Sequence, residues 1–212
     1  KPVSDILMPF AITGEHIQVG TLNIISGTST TTMTNINGAV LTDKRHHAIS
    51  LSSMSQGTAD FNGEVKIDGA RPFAIDGQIQ AISNFEEQQY QLNLTAQGDF
   101  NRLNLGLKAS GGAPEEPLKG TGEVSLQLLE QFYIHQGQVN ITHLNPYVFW
   151  NKLLKANLDL TLNATPEQAL GTNEQAQQQP VNGSLRITNH APAPLSELSL
   201  PISQVAANFA LT

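Results

Sequence analysis

The side chains that could perform chemistry in this chain are its histidines and its paired carboxylates. The six histidines lie at positions 16, 46, 47, 135, 143 and 190. A zinc site would need three or four of these imidazoles, or carboxylates, to converge. His135 and His143, at the ends of two consecutive predicted strands, are placed to approach each other, but no ligand motif accompanies them. We therefore predict no metal site and no cofactor.

The acidic residues form adjacent pairs rather than a catalytic pair. Residues 86–87 and 115–116 are both Glu-Glu, and each pair lies in a polar or proline-containing loop, which favours solvated side chains. A glycosidase would instead hold two carboxyl groups across a cleft, with one protonated by burial. The glycine-rich phosphate loops and the Gly-x-Ser-x-Gly motif are also missing. We interpret the chain as non-enzymatic.

The composition argues against binding to nucleic acid. The net charge is −7, and only 14% of the residues are charged. Affinity for a phosphate backbone needs clustered Lys and Arg, and the one basic cluster, residues 44–47, is predicted to be a solvated turn. Cysteine is absent, which excludes disulfides and thiolate metal sites.

A recurring sequence phrase predicts the strands that must position these residues. A glycine followed by alternating polar and apolar residues occurs at 63–67 (GEVKI), 77–81 (GQIQA), 122–126 (GEVSL), 137–141 (GQVNI) and 183–187 (GSLRI). Because successive side chains on a strand point to opposite faces, each phrase predicts a strand with one apolar and one polar face.

The same alternation predicts strands along the whole chain, and a helical period is almost absent. The predicted strands are 17–24, 48–54, 59–68, 72–76, 77–82, 90–96, 103–109, 122–128, 132–136, 138–142, 156–163, 181–188 and 205–211. A sheet of this length must curl, close or split to hide its apolar face. The fold class is therefore all-β.

One short helix is predicted near residues 145–155. Asn145 can cap it, Pro146 suits its first position, and Tyr147, Trp150 and Leu154 then fall on one face. This helix either covers an edge or end of the sheet or acts as a gate over a cavity.

Two polar segments are predicted to be mobile. Residues 28–35 are rich in Ser and Thr, and the glutamine-rich residues 164–180 form a probable disordered insertion. The strand pattern resumes unchanged after each, so we treat residues 1–212 as a single fragment. Because the chain starts without Met and ends inside an apparent strand, we expect a piece of a longer β protein.

The remaining candidate for function is the apolar stripe itself. It is either the core of a sandwich or barrel, or the lining of a groove for acyl chains. The aromatic content of only 6% favours the groove, because sandwich cores usually contain more bulky rings. The predicted lining residues are Val65, Ile67, Ile79, Leu92, Leu94, Leu103, Leu105, Leu107, Val124, Leu126, Val139, Ile141, Leu158, Leu160, Leu185 and Ile187.

The second half of the chain resembles the TamB family of large AsmA-like bridge proteins of the bacterial envelope. In that family a strand pair leads into a Leu-Asn-Pro phrase, matched here by residues 144–146. A second family phrase is matched over residues 183–211 by Gly183, Asn189, Pro194, Leu195, Leu200 and Pro201. Where the family often has Pro-Gly-Pro, this chain has Pro-Ala-Pro at 192–194. The likeness covers roughly residues 120–212.

The resemblance implies a fold and a setting. The fold would be an elongated, curved, taco-like β-sheet or β-groove with an apolar interior. The parent protein would be anchored in the inner membrane of a diderm bacterium and cross the periplasm. It would carry phospholipid toward the outer membrane and assist outer-membrane proteins together with a TamA-type, BamA-like barrel.

We therefore predict a periplasmic segment of such a bridge, with phospholipid as its partner. The alternative is a structural or adhesive β-solenoid or sandwich segment of a surface protein. A third possibility is a chaperone-like segment that pairs client strands at an exposed sheet edge.

Overall fold

In the described part of the chain, each strand pairs with its neighbours in sequence, which makes one antiparallel sheet. A computed structural model describes residues 5–27, 29–129, 132–166 and 180–211. The 12 strands are β1 (Ile12–Ser26), β2 (Ser29–Thr42), β3 (His46–Gln56), β4 (Ala59–Asp68), β5 (Ile75–Phe85), β6 (Gln88–Asp99), β7 (Arg102–Gly111), β8 (Leu118–Gln127), β9 (Tyr133–Leu144), β10 (Leu158–Pro166), β11 (Val181–Asn189) and β12 (Gln204–Leu211). The sheet is not closed into a barrel, so β1 and β12 form its edges.

The predicted all-β fold class is confirmed, and the strand boundaries differ in an informative way. The predicted strand 72–76 is wrong at 72–74, which lie in the turn before β5, while 75–76 and the predicted strand 77–82 belong to β5. The predicted strands 132–136 and 138–142 are parts of one strand, β9. Glycine at positions 77 and 137 does not interrupt a strand, because both glycines pair in register with residues of neighbouring strands.

Strand β2 was not predicted as a strand. Its Ser/Thr-rich first half was expected to be mobile, because it lacks an apolar alternation. β1 supplies its backbone partners instead, for example Leu22 opposite Met33. The insertion predicted at 164–180 overlaps the end of β10, and residues 167–179 lie outside the described residues.

The short helix predicted near 145–155 is a single 3₁₀ turn, Pro146–Val148, followed by further turns. Asn145 does cap it, because its side-chain oxygen accepts the backbone N–H of Tyr147 at 3.2 Å. We call residues 145–156 the cover loop, since they lie over one end of the sheet. A second 3₁₀ turn, Leu195–Glu197, lies in the connection between β11 and β12.

The cover loop shows that the sheet curves. It leaves β9 at Asn145, yet the carbonyl of Val148 accepts a hydrogen bond from Thr58, beside the start of β4. Five strand spacings separate β9 from β4 in a flat sheet, about 24 Å, whereas three residues reach at most about 11 Å. The sheet must therefore bend toward the cover loop.

Candidate functional site

The strand register places every predicted lining residue on the same face of the sheet. Ile79 lies opposite Leu94, and Leu94 lies opposite Leu107. Ile141 lies opposite Leu160, which in turn lies opposite Ile187. Directly opposed residues share a face, and residues two apart on one strand do the same, so these pairs extend across the sheet from β4 to β11. We call this the apolar face and the opposite one the polar face.

The recurring glycines also lie on the apolar face, where they make room for bulky neighbours. Gly63 lies opposite Ile79, and a Cβ at position 63 would be 2.4 Å from the backbone oxygen of Gln78. Gly183 lies beneath the ring of Phe209, and a Cβ there would overlap the ring atoms. Four of the five phrase glycines, at 63, 77, 122 and 183, thus allow close packing on this face, whereas a Cβ at Gly137 would make only an ordinary contact.

One end of the apolar face is covered by the cover loop. Val148 and Phe149 are buried and pack with Ala81 and Ala109 in the main hydrophobic cluster. The small alanine side chains leave a hollow that the two larger side chains fill. This end of the face is a closed core.

Aromatic rings fix the position of the cover loop. Tyr147, Phe149 and Trp150 each meet a ring of the sheet edge-on, with centroids 5.8, 6.3 and 6.2 Å apart. Their partners are Phe85, Tyr90 and Phe61. Edge-on contacts are favoured by the ring quadrupoles, so the loop has one preferred position.

The other end of the strands is also covered, by the loops between them. Phe73 is fully buried, and its ring centroid lies 5.5 Å from that of Phe100. The backbone N–H of Phe100 bonds the carbonyl of Pro72, and the carbonyl of Phe100 accepts the N–H groups of Leu128 and Leu129. Three loops therefore meet over this end.

Between the two covered ends the apolar face is open. The exposed fractions are 51% for Ile49, 53% for Ile79, 39% for Leu94 and 37% for Leu105. We call these four residues, on β3, β5, β6 and β7, the open row. Large apolar side chains that stand together in water indicate a binding surface rather than a core.

The predicted lining thus divides into three groups. Ile79, Leu94 and Leu105 are exposed in the open row, whereas Leu103 and Ile141 are buried under the covered ends. The other predicted residues are half-buried on the same face. They are Val65, Ile67, Leu92, Leu107, Val124, Leu126, Val139, Leu158, Leu160, Leu185 and Ile187.

The predicted approach of His135 and His143 is wrong, because both lie on β9, near its opposite ends. His135 is buried, and burial lowers its pKa. Its ring meets Tyr133 edge-on, with centroids 5.1 Å apart. His135 is therefore part of the packing at that end of the sheet.

His143 instead belongs to a polar cluster that sequence reasoning missed. His190 Nε2 lies 2.8 Å from a carboxylate oxygen of Asp159, whose other oxygen accepts the backbone N–H of His143 at 3.0 Å. Asn157 donates to Glu116 at 3.1 Å, and its Oδ1 lies 3.1 Å from His143 Nδ1. Burial opposes ionisation of Asp159, but the hydrogen bonds from His190 and His143 outweigh it and lower its pKa.

This cluster lies at the base of the cover loop and is assembled from β9, β10, the connection after β11 and the loop before β8. The spacing of these residues in the sequence does not predict the polar cluster, because the residues come together only through strand pairing. Within the described residues, no group of three or more histidines and carboxylates could hold a metal ion. The cluster is therefore best described as a set of structural hydrogen bonds.

The basic cluster at residues 44–47 is largely occupied by contacts within the chain. Arg45 forms a bidentate pair with Asp68, and this contact lowers the pKa of Asp68. His46 bonds Asp43, whose pKa is lowered to about 2 by the backbone and side-chain hydrogen bonds from His46. The guanidinium of Arg45 is thus paired with an acid of the same chain, which reduces the positive charge that this turn offers to a polyanion.

Comparison of the chain with protein-family models, with curated proteins and with solved structures found no match. Among the described residues, no helix has the length and apolar character needed to cross a membrane. The site must therefore be interpreted from its own geometry.

Proposed function

We propose that the protein holds lipid acyl chains against its apolar face, with the open row as the contact surface. The observation that carries this proposal is the contrast along one face. Both ends are packed, whereas Ile79, Leu94 and Leu105 stand exposed between them. A soluble structural sheet gains nothing from leaving large aliphatic side chains in water at its centre.

An acyl chain suits this surface because it needs no directional contact. Each buried methylene contributes about 0.8 kcal/mol, so a partly covered tail is held by several kcal/mol. The residues of the open row carry no charge and no hydrogen-bonding side chain. The surface would therefore select an apolar chain without selecting a headgroup, which would remain in water.

The resemblance to the TamB family gives this activity a setting, which we include in the proposal. The protein would be a periplasmic segment of a bridge from the inner to the outer membrane, along which phospholipid passes passively. Outer-membrane protein clients and a TamA-type barrel would be engaged by the parent protein. The long, single, curved sheet supports this setting, since it presents one continuous apolar face.

The test is mass spectrometry of lipid extracted by solvent from the folded, detergent-free protein. Leu105→Asp places a charge in the open row, and Asn104→Asp places the same charge on the next residue, which is exposed on the polar face. We expect stoichiometric phospholipid on the unmodified protein and on Asn104→Asp. We expect at least a tenfold loss on Leu105→Asp, and Leu94→Asp should repeat that loss.

Circular dichroism and denaturant unfolding must show that both variants keep the fold. Equal lipid on Leu105→Asp and Asn104→Asp would remove the open row from the binding site. Lipid-free protein in every case would favour the structural or adhesive alternative, in which the sheet serves as a spacer.

A second candidate function rests on the edges of the sheet. β12 is exposed along most of its length, and among the described residues its one partner strand is β11. Its residues 204–211 contain neither charge nor proline. Such an edge can accept an extended peptide strand. Binding of strand-forming peptides, with no lipid retained, would favour this chaperone-like activity.

A further inference from the structure

The cover loop is closed on itself at its base. The side-chain oxygen of Asn145 accepts the backbone N–H of Tyr147 at 3.2 Å and that of Ala156 at 3.4 Å. One side chain therefore joins the first and last residues of the loop. The backbone N–H of Trp150 bonds the carbonyl of Pro146 at 3.1 Å. Compact surface loops whose ends lie close together form a unit of their own.

Few polar contacts join the far side of the loop to the sheet. The carbonyl of Val148 accepts hydrogen bonds from Ser83 at 2.5 Å and from Thr58 at 3.4 Å. Gln56 Nε2 donates to Asn151 Oδ1 at 2.7 Å, while Gln56 Oε1 is buried and has no hydrogen-bond partner in the described part of the chain. At the base of the loop, Lys155 pairs with the connection between β11 and β12: its N–H bonds the carbonyl of Leu198 at 2.8 Å, and its carbonyl accepts the N–H of Leu200 at 3.0 Å. The other contacts between residues 146–154 and the sheet are aromatic and apolar packing.

The hollow beneath the loop continues directly from the open row. On β5, Ala81 is the next residue of the apolar face after Ile79, and on β6 Leu92 follows Leu94 in the same way. Ala81 is covered by the loop and Ile79 is not. An apolar chain lying on the open row therefore ends against the side chains of Val148 and Phe149.

We propose that the cover loop is a lid that leaves the apolar face when an acyl chain enters the hollow. This inference rests on the proposed function, because the ligand is the same acyl chain. The chain would replace Val148 and Phe149 over Ala81 and Ala109, which keeps the hollow filled. Residues 146–154 would swing out between Asn145 and the paired Lys155, and the groups at Val148 and Asn151 would bond water instead of the sheet.

A disulfide can test this movement, since the chain contains no cysteine. A Cβ at position 57 would lie 3.7 Å from the Cβ of Asn151, a separation that suits a disulfide. The double variant Gly57→Cys/Asn151→Cys should therefore lock the loop when oxidised. Gly57 has a φ of 61°, so Gly57→Cys carries some strain, and each single variant serves as a control.

The measurement is titration of cis-parinaric acid, a fluorescent fatty acid, into oxidised and reduced protein. We expect the oxidised double variant to bind at least tenfold more weakly than its reduced form. Each single variant should bind equally in both conditions. Equal binding by locked and reduced protein would overturn the lid while leaving the proposed function intact. Absence of binding in every form would overturn both.

A second measurement needs no substitution and decides the matter if the disulfide does not form. Trp150 is the only tryptophan of the chain and packs against Phe61. Saturation with oleic acid should shift its emission to longer wavelength, because the lid carries Trp150 into water. An unchanged emission at saturating oleic acid would overturn the lid.

Discussion

The covered end and the open row of the apolar face are built from the same strands, yet one is core and the other is surface. On β5, Ala81 and Ile79 are separated by one residue, and only Ala81 is buried. On β7, Ala109 is buried and Leu105 is exposed. The strand alternation determines on which face of the sheet a residue lies. The loops over the strand ends determine whether that residue is buried.

Under the proposed function, this division separates the residues that stabilise the fold from those that bind the acyl chain. The covered end contains the rings of the cover loop, and each edge-on aromatic pair contributes about 0.5–1.5 kcal/mol beyond burial. The open row makes fewer contacts and is free to meet a ligand. Substitutions at the covered end should therefore lower the free energy of unfolding, whereas substitutions in the open row should change lipid binding more than stability.

The largest effect is expected from Leu118→Ala, at the covered end. Leu118 is almost fully buried in the cluster that contains Val148 and Phe149. Removing a buried leucine side chain leaves a cavity, so we expect a loss of about 3 kcal/mol in the free energy of unfolding. Denaturant titration followed by circular dichroism measures it.

Leu105→Ala is the matched control, because it makes the same change in the open row. Because Leu105 is already partly exposed to water, Leu105→Ala should lower the free energy of unfolding by less than about 1 kcal/mol. Similar losses at both positions would contradict the division of the face into a core and an open surface.

An intermediate effect is expected from Gly63→Ala. The new Cβ would lie 2.4 Å from the Gln78 carbonyl oxygen and 3.0 Å from the Cα of Ile79, so the backbone of β5 would have to move. Overpacking of this kind costs about 1–3 kcal/mol. The change should appear as a lower midpoint of denaturant unfolding.

Gly137→Ala provides the comparison for this position. A Cβ there would meet the side chain of Val124 at 3.5 Å, an ordinary van der Waals contact. The midpoint should stay within about 0.5 kcal/mol of the unmodified protein. A large loss of stability in Gly137→Ala, or no loss in Gly63→Ala, would show that the recurring glycines are not needed for close packing of the apolar face.

Much of this arrangement could be predicted from the sequence, because it is local. The alternation placed Leu94, Leu105 and Leu107 on one face, and the register agrees. The alternation could not show that Leu103 is buried while Leu105 is exposed. That difference depends on the loops over the strand ends, and loop contacts are not encoded in a strand period.

The parts that were missed depend on contacts between distant residues. Ser83 bonds Val148 across 65 positions of the chain, so neither residue signals the contact. His143 and His190 come together, with ring centroids 6.1 Å apart, only because β10 lies between β9 and β11. The first half of β2 lacks an apolar pattern, and β1 makes it a strand.

The smallest effect is expected at the base of the cover loop, from Asp159→Asn. The pKa of Asp159 is lowered in the folded protein, so its carboxylate stabilises the fold above the unfolded pKa of about 3.9. This stabilisation is lost as the pH falls through the lower, folded pKa. Because the side chain is partly exposed, we expect Asp159→Asn to cost less than about 1 kcal/mol at pH 7.

The difference between Asp159→Asn and the unmodified protein should begin to shrink as the pH falls below about 4, where the carboxylate becomes protonated in the unfolded state, and should vanish only below the lower, folded pKa. Asp76→Asn, on the exposed polar face, should show a smaller difference at pH 7. Denaturant midpoints from pH 7 to pH 3 measure both variants. A difference that stayed constant over this range would show that the charge of the Asp159 carboxylate does not stabilise the base of the loop.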